Sequence, residues 1–272
     1  MAPNDFEQLE NVEFAAQVDL WRAVPESVRT THAVELRQIG SATCMTCHGF
    51  EPASIFRRAV GVGVERAIAE SELDDVVTYM SAHARSYVVP VAQHARPATL
   101  AASLENRGFT RGYAWMKFRC SYDGVAQTSS ELDVRVLGRE AGSEFGRVVA
   151  EGFGMSPAIG PWLATLAGRE HWVCVMAYAN ATAIAAGAVY VDGAYAWLGF
   201  GATLAAHRRH GAQNALLARR LSEAAVRGAR VAVTETGERV PDKPSNSYRN
   251  ILRAGFAEAY LRQNYVSPSR PA

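Results

Sequence analysis

The stretch running from Gly199 to Gly228 constrains this chain most. Trp197, Leu198, Phe200 and Thr203 supply bulky and β-branched residues that favour a strand. A basic loop follows, with Arg208, Arg209 and His210, and tightens at Gly211. Leu216, Leu217, Leu221, Ala224 and Ala225 then recur at near-helical spacing, which predicts a helix with one apolar face. Gly228 is placed to close that helix in a left-handed conformation. The join therefore sets a helix N-terminus, with its free backbone N–H groups and partial positive charge, directly after a strand. Small residues at such a start let a phosphate reach the backbone, and flanking arginines add charge.

The chain has 272 residues, 49% hydrophobic and 20% charged, with a formal net charge of +1. This length fits one large or two ordinary domains. A near-neutral balance gives no reason to expect nucleic acid or an anionic membrane as a partner. The apolar run at residues 181–191 is too short to span a bilayer and is interrupted by Gly187. The opening residues, MAPNDFEQLE, are polar and acidic, so a cytoplasmic location is the expectation. In such a compartment Cys44, Cys47, Cys120 and Cys174 are expected as free thiols. Cys44-Met45-Thr46-Cys47-His48 has the spacing of a haem c attachment site, but it falls in an apparent strand without an export context. Zinc would need two further ligands at suitable spacing, so no metal is expected.

Read in order, residues 6–21 form a helix that Pro25 ends, and 34–39, 42–50 and 56–64 read as strands. Glu70-Ser71-Glu72 opens a helix to His83, with Ser71 as its cap. A short strand at 87–92 precedes a helix from Pro97 to Asn106, closed by Gly108-Phe109 before a strand at 113–120. Small polar residues and glycine at 122–130 mark a boundary between domains, placed at 1–125 and 126–272. Beyond it come a strand at 132–137, a helical region at 143–167 in two pieces, and strands at 171–178, 183–191 and 194–203, with Asp192-Gly193 as a hairpin turn. After the helix ending at Gly228, a strand at 230–236 leads to a helix from Asn246 that closes at Gly255-Phe256.

Arg208-x-x-Gly211-x-Gln213, between strand and helix, resembles the acetyl-coenzyme A pyrophosphate loop of the GNAT superfamily of N-acetyltransferases. The family pattern is Gln or Arg, two residues, Gly, one residue, then Gly or Ala; Gln213 departs at the last position. Residues 246–256, ending in Gly-Phe before a strand, resemble a later motif of the same family at the expected distance. The resemblance covers roughly the C-terminal half. Leu104 to Phe109, followed by a strand with Tyr113, parallels Leu252 to Phe256, followed by a strand with Tyr260. The expected architecture is thus α/β of the α+β type: a mixed, mostly antiparallel twisted sheet flanked by helices, in two tandem GNAT-like domains. In the first half the counterpart of the phosphate loop is Gly61-Val62-Gly63-Val64-Glu65-Arg66, where the acids Glu65, Glu70 and Glu72 oppose a pyrophosphate. That half is expected to shape the structure or the substrate and to hold no coenzyme.

The resemblance implies transfer of an acetyl group from acetyl-coenzyme A to an amine by direct attack. It implies that backbone at Gly201, Ala202 and Thr203 splays from its neighbour strand to meet the pantetheine arm, and that an N–H there polarises the thioester carbonyl. It also implies that Arg208, Arg209, His210, Gly211, Ala212, Gln213 and Asn214 hold the pyrophosphate, with Asn246 nearby. Residues Phe153, Met155 and Trp162 lie in the region that covers the acceptor cleft in the family. The position of the usual acidic Tyr, four residues before the Gly of Gly-Phe, is Ile251 here; Tyr248, one turn earlier, is the candidate acid. Glu235, at the end of a strand beside the expected cleft, is the candidate base. A coenzyme-binding or sensing module with little turnover is the alternative, motivated by Ile251. Neither the amine acceptor nor the oligomeric state is readable from these residues.

Overall fold

The computed structural model describes residues 3–50, 53–122, 132–240 and 246–269. The chain divides into two compact units. One comprises Met1–Arg22, Glu26–Met116 and Tyr260–Ala272, the other Ala23–Pro25 and Lys117–Ala259. The chain crosses from the first to the second within one strand and returns within its last strand. The boundary expected at 122–130 lies almost wholly outside the described residues.

In the first unit, helices α1 (Pro3–Arg22) and α2 (Glu26–His32) precede strands β1 (Glu35–Ile39) and β2 (Ala42–Thr46). Helix α3 (Ala53–Phe56), β3 (Arg58–Val60), α4 (Glu70–His83), β4 (Val88–Ala92), α5 (Leu100–Asn106) and β5 (Thr110–Ser121) follow. Strands β1, β2 and β3 pair antiparallel in sequence, and β3 pairs β4 in parallel. The last strand of the chain, β11 (Ala257–Val266), pairs β4 antiparallel, with Arg262 opposite Ala92. Leu73, Val76 and Met80 of α4 pack with Cys44, Val89, Leu104 and Phe109 in this unit's core.

Two sequence expectations are corrected here. Residues 56–64 form a strand only over Arg58–Val60, because Gly61 (φ 78°) and Gly63 (φ 72°) turn the chain, with the Val64 amide donating to the Gly61 carbonyl. Ser71 does not cap α4: the helix begins at Glu70, and Ala69 precedes it without a side-chain cap. The start is held by its acids, since Arg66 donates to Glu72 and Arg107 to Glu70, each at 2.8 Å. Cys44 and Cys47 are both fully buried, and burial pushes the Cys44 thiol up to about 12.

The second unit carries β6 (Asp133–Val136), α6 (Gly142–Phe153), α7 (Gly160–Ala164), β7 (Trp172–Ala179), β8 (Thr182–Asp192) and β9 (Tyr195–Thr203), then α8 (Ala212–Val226), β10 (Val231–Gly237) and α9 (Asn246–Arg253). Strands β6 to β9 form an antiparallel meander, and β10 joins β9 in parallel. The β7–β8 turn uses Asn180 and Ala181, both at positive φ, as a two-residue hairpin of the twist-matched kind requires. Every residue of β8 from Ala183 to Val191 is buried, as expected of a central strand with helices over it. Trp162, expected near the acceptor, is a core residue at 1% exposure.

The Gly-Phe endings are physically the same device twice. After α5, Gly108 (φ 82°) donates to the Glu105 carbonyl and Phe109 to that of Leu104; after α9, Gly255 (φ 91°) donates to Leu252 and Phe256 to Ile251. Both phenylalanines are buried. A left-handed glycine ends each helix and its hydrophobic neighbour seals the cap.

Candidate functional site: a basic cleft at the β9–α8 join

Strand β9 is irregular where it approaches the loop. Ala188 faces Gly199 across the ladder, but Ala186 faces Ala202, so Phe200 and Gly201 together oppose Gly187 as a bulge. Phe200 sits at φ 57°, an uncommon conformation for a bulky residue. On the other side, the registered pairing with β10 ends at Val233 opposite Trp197, and the Thr234 hydroxyl then takes the Leu198 carbonyl at 2.9 Å. From there to Thr203 the registered pairing of β9 with its parallel neighbour is interrupted although β10 runs on to Gly237, as a β-bulge produces.

Helix α8 starts beside this split. Gly211 precedes it at φ 79° with no side-chain cap, and Arg209 is also left-handed at φ 68°. The first intrahelical bond runs from the Ala215 amide to the Gly211 carbonyl. The amides of Ala212, Gln213 and Asn214 have no acceptor among the described residues. These free donors and the helix dipole make an anion site. Gln213 turns back instead of blocking it: its amide donates to the Thr203 hydroxyl at 2.9 Å. The side-chain oxygen of Asn214 is buried without a donor.

A cleft of ≈ 790 Å³ opens between these elements. Its wall takes in Gly201, Ala202, Thr203, Arg208, Arg209, Gly211, Ala212, Gln213, Asn214 and Asn246. The structure thus gathers into one cavity the residues expected from the sequence to meet the coenzyme, apart from His210, which is exposed and outside the wall. His207 and Phe153 also line it.

Sequence reasoning assigns Asn246 to the coenzyme but misses the rest of the α9 stripe: Arg249, Asn250 and Arg253 line the cleft beside it. These four fall at helical spacing on one stripe, opposite the buried Tyr248 and Ile251. Arg208, Arg209, Arg249 and Arg253 have no carboxylate partner among the described residues, and no Asp or Glu lines the cleft. Within a chain of net charge +1, that is a concentrated positive field.

The two candidate acid–base residues lie outside this wall. Tyr248 is buried, with its hydroxyl 2.5 Å from Glu258 and its ring edge-on to Phe118 and under Arg239. Burial and then the Glu258 hydrogen bond push its hydroxyl up to about 12. Glu235 lies on β10 beyond the last residue paired with β9, and its carboxylate meets the fully buried ammonium of Lys117 at 2.8 Å. Among the described residues no cluster of His, Cys, Asp or Glu could hold a metal, and no helix is long and apolar enough to cross a membrane.

No family model and no curated relative matches the chain. Its fold does match solved structures. A GCN5-related N-acetyltransferase from Kribbella flavida superposes with a TM-score of 0.63 at 17% identity, covering 90% of this chain and 94% of that one. Another GCN5-related N-acetyltransferase, from Sphaerobacter thermophilus, gives 0.60 at 12% identity over 87% and 83%. A tandem GNAT protein from the clavulanic acid biosynthesis pathway gives 0.60 at 15% identity over 88% and 85%. The chain therefore has the α/β fold of the GNAT N-acetyltransferases, a mixed sheet flanked by helices, in the tandem form.

Proposed function

We propose that the protein is an acetyl-coenzyme A-dependent N-acetyltransferase whose coenzyme site is the cleft at the β9–α8 join. The observation that carries this reading is the uncapped start of α8 facing a cleft whose charged side chains are all basic. Free amides at Ala212 to Asn214 take the diphosphate, with Arg208, Arg209, Arg249 and Arg253 supplying counter-charge. The split strand from Gly201 to Thr203 leaves backbone groups for the amides of the pantetheine arm. The fold of the solved acetyltransferases supports the same assignment.

In this reading an amine attacks the thioester carbonyl directly in a ternary complex. A backbone N–H in the bulge stabilises the developing oxyanion, the amine proton goes to a base, and the coenzyme leaves as thiolate. Glu235, whose carboxylate pairs with the Lys117 ammonium, is the base and acts through water. Tyr248, bound to Glu258, anchors α9, and solvent protonates the thiolate. The acceptor is a primary amine of a small molecule or peptide. The first unit is a diverged copy without a coenzyme: a Cβ on Gly63 would lie 2.4 Å from the Arg96 carbonyl, so the counterpart loop is filled by its own chain.

An amine panel with labelled acetyl-coenzyme A tests the reading through free thiol and acetylated product. Wild type that transfers label to no amine while binding the coenzyme supports the second reading, a coenzyme-binding module; Ile251 in the core and Tyr248 turned to Glu258 favour it. Wild type that does not bind the coenzyme rejects both. With an acceptor in hand, Glu235→Gln should lose the acidic limb of the pH–rate profile, and an unaltered profile removes it as base.

A further inference from the structure

Arg220 of α8 is 2% exposed, and burial pushes its guanidinium down to about 10, which leaves it charged at neutral pH. No carboxylate neutralises it among the described residues. A charge taken out of water without a partner is costly and is ordinarily replaced by an apolar side chain. Its hydrogen bonds are to backbone alone: Nε donates to the Leu216 carbonyl at 3.1 Å, and Nη1 donates to Gly199 at 3.0 Å and Ala188 at 3.3 Å.

Those last two carbonyls belong to the residue pair that opens the bulge, one on each strand. The guanidinium also occupies the space that side chains at the bulge would need. A Cβ on Gly187 would lie 2.9 Å from Cζ, and one on Gly201 3.2 Å from Nη2. Nη2 itself has no acceptor among the described residues. Gly201 lines the cleft, so one backbone layer separates this cation from the space where the reading above puts the acyl group.

We propose that Arg220 is the positioning residue of the acyl end of the cleft. It locks the bulge at Phe200 and Gly201 and sets a fixed positive charge behind the backbone N–H groups that meet the thioester carbonyl. The inference rests on the coenzyme assignment. It goes beyond it by giving the bulge a clamp and the oxyanion a remote counter-charge in a low-dielectric layer. The cation hydrogen-bonds to neither the diphosphate loop nor the arginines of α9, so it acts on the chemical step and leaves coenzyme capture largely intact.

The test compares wild type, Arg220→Met and Arg220→Lys for acetyl-coenzyme A affinity, kcat with an active amine, and the infrared carbonyl stretch of bound carbonyl-labelled acetyl-coenzyme A. Expected are an affinity changed by less than about threefold, a kcat lowered by about tenfold or more in Arg220→Met, and partial recovery in Arg220→Lys. The wild-type carbonyl should shift to lower frequency on binding, with a smaller shift in Arg220→Met. Unchanged kcat in both variants overturns the proposal. So does loss of kcat and affinity in parallel without rescue by lysine, which marks a structural role. If Arg220→Met does not fold, wild type and Arg220→Lys decide: an unshifted wild-type carbonyl, or equal shifts and rates in both, overturns it. Wild type that fails to bind the coenzyme is a different result and rejects the coenzyme assignment itself.

Discussion

Replacing Gly211 probes the anion site with a sign that backbone strain alone does not produce. The residue holds φ 79° immediately before α8, and a Cβ there meets nothing within 4 Å, so any side chain has room and only the left-handed backbone is strained. Gly211→Ala costs roughly 1–2 kcal/mol for that backbone. Gly211→Glu has a comparable cost, partly offset by about 0.3–1 kcal/mol from a carboxylate at a helix N-terminus. Ligand-free Gly211→Glu should therefore melt no lower than Gly211→Ala. The coenzyme separates them. A carboxylate about 5 Å from each of two phosphate charges repels by roughly 2–7 kcal/mol between the limits of water and a protein surface, weakening binding at least about thirtyfold. Acetyl-coenzyme A at about 100 times its wild-type Kd stabilises by about 2.7 kcal/mol. At about 2–4 °C per kcal/mol that is a rise of roughly 5–10 °C in melting temperature. In thermal-shift scans Gly211→Ala should keep the rise, and Gly211→Glu should keep at most about 3 °C. Retention of the full rise by Gly211→Glu refutes the diphosphate site; equal loss in both variants refutes the charge argument.

Further outcomes follow from the same geometry. Arg249→Ala with Arg253→Ala should weaken acetyl-coenzyme A by about tenfold or more and flatten the dependence of Kd on salt, because two phosphate-facing charges are lost; titration calorimetry at two ionic strengths checks this. Lys117→Met should destabilise by about 3–5 kcal/mol in urea unfolding by removing the buried ammonium that pairs with the Glu235 carboxylate, and adding Glu235→Gln should recover part of the loss; a Lys117→Met cost below about 1 kcal/mol would show that the pair is not coupled. The Cys44 thiol, pushed up from 9.0 to about 12, binds its proton more tightly folded than unfolded. Its stabilisation is present below pH 9 and is lost as pH rises towards 12, at about 1.4 kcal/mol per pH unit. Cys44→Ala should flatten that alkaline limb, and a limb of unchanged slope counts against the assignment.

The helix and strand around the basic loop were legible because their apolar residues repeat at 3.6 and 2 and because Gly211 and Gly228 punctuate them. The polar stripe of α9 was legible in the same way, since Asn246, Arg249, Asn250 and Arg253 keep helical spacing; spacing alone does not say which cavity a stripe faces. The bulge left no mark, because Phe200 is a residue that ordinarily continues a strand, and only its neighbours' register forces it to φ 57°. The environment of Glu235 was equally hidden. Its partner Lys117 lies on β5, and no local pattern announces that an isolated lysine in an apolar strand will be buried against a carboxylate. Tyr248 reads identically as an aromatic on a core stripe or as an acid, and the deciding group, Glu258, sits past the helix end.

Two of the strand-to-helix joins show how one backbone plan can be open or closed to an anion. After β9, the loop carries Arg208 and Arg209, the helix start is uncapped, and no acid lies in the first turn of α8. After β3, the glycines at 61 and 63 are again left-handed, yet the Arg96 amide donates to the Gly63 carbonyl and the Ile68 amide donates to the Arg96 carbonyl, so a neighbouring segment occupies the concavity. The first turn of α4 holds Glu70 and Glu72, and Glu72 accepts from the Ser41 amide and from Arg66. An incoming phosphate would have to displace both carboxylates from the positive end of a helix that they already neutralise, and two paired carboxylates held there outcompete a ligand limited by its free concentration. The difference between the joins therefore lies in who supplies the negative charge. In the first unit the protein brings its own, and stability is the return. In the second it leaves the charge unmet, and the unmet charge is what gives the cleft something to bind.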